Sequence, residues 1–161
     1  MTTTITGAGG VSQVQAGAIE HGDLPSGSVL QVVEAQASGS LTSPTTSYAD
    51  VASSSITITP SSTSSKILLM WNTGSMSNGS NNSIRFKVLR DSTTVRSILR
   101  FGYSAGTWNP MPISIQYLDS PATTSPVTYK LQCATEADAD FRINDHQGTD
   151  AMVVIAMEIG G

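Results

Sequence analysis

From residue 28 to the end, apolar side chains recur at every second position in short runs, and polar turn residues break the runs. Ser55-Ile-Thr-Ile-Thr59 alternates without a fault. Residues 83–90 set Ile84, Phe86 and Val88 on one face against Arg85 and Lys87 on the other. A period of two belongs to a half-exposed β-strand. Lys66-Ile-Leu-Leu-Met-Trp71 is apolar almost without interruption, the mark of a strand covered on both faces. Runs at 29–34, 55–59, 66–71, 83–90, 94–101, 112–118, 126–133, 141–144 and 151–159 make about nine strands, and nothing after residue 28 asks for a helix. Polar connections without crossover helices predict an all-β, antiparallel β-sandwich, with an eight-stranded, jelly-roll-like arrangement as the natural count. An immunoglobulin-like sandwich is the rival, and the absence of paired cysteines discriminates only weakly.

Residues 1–27 follow a different pattern. Glycines and Thr or Ser dominate, the only charges are Glu20 and Asp23, and the apolar residues are sparse. Val11, Val14, Ala18 and Ile19 fall at helical spacing, but Gly17 interrupts them and so short a helix is marginal alone. The segment reads as an extended N-terminal arm, with residues 28–161 as the sandwich domain. Ile5, Val11, Val14 and Ile19 are too widely spaced to build a private core, so they are the candidates for docking the arm on another surface.

Composition narrows the class. Ser and Thr make up 43 of the 161 residues, and charged residues only 12%, which excludes a helical bundle. A hydrophobic fraction of 39% is too high for a wholly disordered chain, and no run approaches the ~18 apolar residues of a membrane-spanning helix. The net charge of −4 argues against a nucleic-acid partner. The lone cysteine, Cys133, excludes an intrachain disulfide framework and is compatible with assembly in a reducing cytoplasm. The N-terminus has neither the basic start nor the apolar stretch of a signal peptide.

Four separated strings carry a resemblance: Ser28-Val-Leu-Gln-Val-Val33; Ser55-Ile-Thr-Ile-Thr-Pro-Ser-Ser-Thr-Ser-Ser-Lys-Ile-Leu68; Arg85-Phe-Lys-Val-Leu-Arg-Asp-Ser-Thr-Thr94; and Met157-Glu-Ile-Gly-Gly161. In this order they resemble a β-sandwich module of bacteriophage virion surface proteins, found in tail-fibre and spike tips and in small capsid-decorating proteins. The resemblance covers 28–161 and implies a homotrimer on the outside of a virion, assembled in the host cytoplasm. Its partners would be copies of itself and the major capsid protein. Neither a shaft repeat nor a coiled coil stands before the sandwich, so the expected role is capsid decoration, or cement; the alternative is a receptor-binding tip that contacts host surface glycans.

Candidate chemistry is thin. The histidines are His21 in the arm and His146, which lies between Asp145 and Asp150 and reads as an exposed loop residue; no Gly-x-Ser-x-Gly elbow occurs. A glycosidase dyad stays open, since any two of the twelve carboxylates could meet in space. No enzyme and no cofactor are expected. Glu136, Asp138 and Asp140 share one face of an extended strand and imitate the start of a calcium loop, but Phe141 and Gln147 replace the required glycine and glutamate. The expected reading is a solvated, charged edge that discourages sheet-to-sheet aggregation. Arg85, Lys87, Arg90, Arg96 and Arg100 form a basic cluster that could meet the acids between 136 and 150 across a subunit boundary. Phe101, Tyr103 and Trp108 lie in an expected loop. Tyr103 and Trp108, with Asn109, are the candidate glycan contacts, because a flat ring with small polar neighbours suits the C–H face of a sugar.

Overall fold

The computed structural model describes residues 20–38, 41–42, 46–78, 82–104, 111–136, 141–143 and 151–161. Among them are eleven strands and, outside the strands, one 3-10 turn at His21–Asp23; there is no α-helix. The strands are β1 (Val29–Ser38), β2 (Leu41–Thr42), β3 (Ala49–Asp50), β4 (Ile56–Ile58), β5 (Lys66–Asn78), β6 (Asn82–Arg90), β7 (Thr93–Ser104), β8 (Met111–Asp119), β9 (Val127–Thr135), β10 (Phe141–Ile143) and β11 (Ala151–Ile159). Every pairing is antiparallel.

β2 pairs with β10 in line with the pairing of β1 with β11, and both β10 and β11 lie along β5, whose other edge carries β8. β3 and β4 both lie along β9, followed by β6 and β7. Taking β1–β2, β3–β4 and β10–β11 as three interrupted runs leaves eight runs. Their orders are 1-8-3-6 in one sheet and 2-7-4-5 in the other. This is the jelly-roll order, and it decides against the immunoglobulin-like rival. We call the sheet containing β5 sheet A and the sheet containing β9 sheet B.

The two sheets bury alternate residues against each other, as the period of two requires. Sheet A contributes Ile67, Leu69, Trp71, Ile113, Ile115, Val154 and Ala156 to the core; sheet B contributes Ile56, Ile58, Phe86, Val88, Tyr129 and Leu131. Trp71 is 1% exposed, and its indole N–H donates to the Ser54 carbonyl at 2.9 Å. Ser54 in turn accepts at its hydroxyl from the Leu131 amide at 3.0 Å, so the bend before β4 is tied to both sheets. Asp91 has φ +53°, as a two-residue hairpin between β6 and β7 demands. Its side chain accepts from the Thr128 amide at 3.0 Å, which joins the hairpin to β9. Burial pushes the Cys133 thiol up to about 12, so it sits in the core as an inert thiol.

The structure departs from the sequence expectations in four places, one of them β5, which was expected to end at Trp71 and runs on to Asn78. β2 and β3, two residues each, were not foreseen, because so short a segment has no period to detect. Phe101 and Tyr103 are not in a loop: β7 runs on to Ser104, and Tyr103 pairs with Ser83 of β6. Among the described residues β5 is covered on one face only. Leu68 and Met70 point away from the core and stay half-buried.

Candidate functional site

At the end of the sandwich where β5 begins, one cross-strand row on the inner face of sheet A is mainly polar. Gln31, Glu158, Ile67 and Asp119 stand opposite one another in β1, β11, β5 and β8. Glu158 is 0% exposed, and no cation faces it among the described residues. It is held by hydrogen-bond donors instead. The Ser61 amide and hydroxyl donate at 2.7 and 2.6 Å, and the Gln31 amide at 2.6 Å. Burial alone would push its carboxyl up. Donation from the Ser61 side chain and backbone and the Gln31 side chain outweighs that and brings it down to about 2. The carboxylate thus pins the 60–65 turn to both β1 and β11.

Asp119, 5% exposed, is the second buried carboxylate. It accepts from the Arg90 guanidinium at 3.0 Å and from the Tyr129 hydroxyl at 2.7 Å. The three residues come from β8, β6 and β9, so they clasp sheet A to sheet B. Burial and the adjacent Asp119 carboxylate hold the Tyr129 phenol well above its ordinary range. The two buried carboxylates stand on strands two apart, roughly 10 Å between strand axes, with Ile67 of β5 between them. Each is engaged by its own donors, so this pair is a fastening and not a dyad with a substrate between them. A depression of about 120 Å³ lies beside the row, lined by Gly22, Leu30, Ser62, Ser64, Gly160 and others, and no titratable side chain lines it.

The outer faces of the two sheets differ. On sheet B, Asp50 takes Lys130 Nζ and the Gln132 amide, both at 2.7 Å, and those two bonds draw its carboxyl below the usual range. Lys87 Nζ sits 3.9 Å from the centre of the Tyr48 ring, and Arg85 donates to the carbonyls of Thr46 and Thr135. The basic cluster is therefore used inside this chain at Arg85, Lys87 and Arg90. On sheet A the outward positions of β5 and β11 include Lys66 and Asn72 beside the apolar Leu68, Met70, Val153, Ile155 and Met157. Val32 of β1 is 56% exposed and Leu118 of β8 is 51% exposed on the same face.

Of the residues singled out from the sequence, Ile5, Val11, Val14, Ile19, Trp108, Asn109, Asp138, Asp140 and His146 lie outside the described residues. Tyr103 is placed by its backbone alone, in β7. Glu136 is exposed just after β9. Residues 20–27 are tied to the sandwich at Gly27, whose amide donates to the Gly160 carbonyl at 2.7 Å. Glu158 and Asp119 were not foreseen as a structural pair. A signal existed for Glu158, which takes the inward slot after Met152, Val154 and Ala156.

No protein-family model matches the chain, and no curated protein matches it. Among solved structures, it is similar to infectious bursal disease virus of the Gx strain, with 18% identity over 81% of this chain and 32% of that one, at a TM-score of 0.48. It is also similar to the VP2 subviral particle of that virus, with 16% identity over 81% and 33% of the two chains and a TM-score of 0.48. Dimeric latent PorU from Porphyromonas gingivalis is a further match, at 11% identity over 80% and 13% of the chains, with a TM-score of 0.36. The chain spans about a third of the length of the viral chains.

Proposed function

We propose that this chain is a structural protein of a bacteriophage virion, a trimer that decorates the outside of the capsid and grips it through the N-terminal arm. The observation that carries this reading is how the sandwich spends its polar and apolar groups. Both buried carboxylates fasten the fold, and Asp50, Arg85, Lys87, Arg90 and Lys130 of sheet B are engaged within the chain. What faces outward from the middle of sheet A is a largely apolar surface, with Glu34 and Lys66 at its margins, which suits a protein whose work is to lie against other proteins. The order of the four phage-like strings supports the same reading.

The arm supplies the second contact. Removing residues 1–19 leaves the Gly27–Gly160 tie and every described strand in place, so the shortened chain should fold with a little-changed far-ultraviolet spectrum and melting temperature. Mixed with phage capsids that lack the decoration, it should fail to co-sediment at concentrations where the full chain saturates them. Retention of the shortened chain at full occupancy would remove the arm from the docking.

A further inference from the structure

Resting on the trimer reading above, we propose that the outer face of sheet A is the surface through which copies of this chain associate, and that the neighbouring copy meets it with the free edge of β7. The face is built in rows. Val32, Met157, Leu68 and Leu118 stand opposite one another across four strands, and the next row is Glu34, Ile155, Met70 and Gln116. The third row, Gln36, Val153, Asn72 and Ser114, is mainly polar. With strands about 4.8 Å apart and same-face residues about 6.8 Å apart, the first two rows cover on the order of 260 Å², about a third of what one partner gives to a standard interface. Each copy in a closed ring makes two such contacts.

β5 and β11 point the same way. Both are apolar at successive positions, the composition of strands covered on two faces, yet among the described residues only the inner face is covered. A ring of three requires the face to meet a different surface of the next copy, because a face that meets itself closes as a dimer. The fold has one strongly exposed counterpart. β7 ends sheet B, pairs only with β6 among the described residues, and carries Leu99 at 70% exposure, the most exposed large apolar side chain described.

A long open edge with an exposed leucine is otherwise a hazard, which a neighbouring copy removes.

The test is sedimentation equilibrium on the full chain and on Val32→Glu, Leu118→Glu and Leu99→Glu, with Thr57→Glu on the outer face of sheet B as the control. The first three side chains are more than half exposed, so the variants should fold, which circular dichroism and thermal melting verify. Wild type and Thr57→Glu should run at three times the chain mass of 16.8 kDa. The other three should need at least tenfold higher concentration to associate. A trimeric wild type whose three variants stay trimeric would overturn the inference and leave the trimer standing. Loss of association in the two face variants but not in Leu99→Glu would overturn the role of the β7 edge. A monomeric wild type at tens of micromolar, roughly the range of weak association, would overturn the trimer itself.

Discussion

Glu158→Ala should lower the melting temperature at neutral pH by about 6–12 °C, corresponding to about 3 kcal/mol in a domain of this size. The magnitude follows from proton linkage. The carboxyl sits at about 2 in the folded chain against an ordinary 4.5. A group lowered by folding contributes stability above its unfolded value and loses it as the pH falls through its folded value. The contribution is therefore complete above about pH 5 and fades between roughly pH 4.5 and 2, by about 1.4 kcal/mol for each step of one in pH. Wild type and Glu158→Ala should thus converge in stability as the medium is acidified. Glu158→Gln keeps the shape but turns a donor toward Ser61, so it should rescue little at neutral pH and should lack the wild type's loss of stability between pH 4.5 and 2. Parallel acid limbs for wild type and Glu158→Gln would show that this carboxylate does not hold the corner.

The largest single loss should come from Trp71→Ala, about 3–5 kcal/mol, measured by urea unfolding. The ring is the largest of the fully buried side chains, packed from the middle of β5 into the centre of the sandwich. Trp71→Phe separates packing from the hydrogen bond. It fills most of the space but leaves the Ser54 carbonyl without its donor, which costs about 1–3 kcal/mol. A Phe variant as unstable as the Ala variant would place the whole effect on the bond.

Much of the fold was legible because alternation survives at single-residue resolution. The inward sets Ile56 and Ile58, Ile84, Phe86 and Val88, and Ile113 and Ile115 are the buried ones in the structure. Short strands were not legible: β2 and β3 exist because β10 and β9 offer them an edge, a tertiary cause that leaves no local trace. The β7 extension to Ser104 was hidden by Gly102 and by the register shifts against β6, which blur the period. Asp119 precedes a polar turn and so read as part of it; its partners Arg90 and Tyr129 lie 29 and 10 residues away. The double-sided apolarity of β5 was seen in the sequence but assigned to the interior. The structure places half of it on the surface of the described residues.

Copy number in purified virions tests most directly whether this chain clothes a capsid. Quantitative mass spectrometry of particles, standardised against a major capsid peptide, should find hundreds of copies of this chain per virion in a fixed ratio to the capsid protein. A few tens of copies or fewer would place it on a tail appendage, and none would remove it from the virion; either result would contradict capsid decoration.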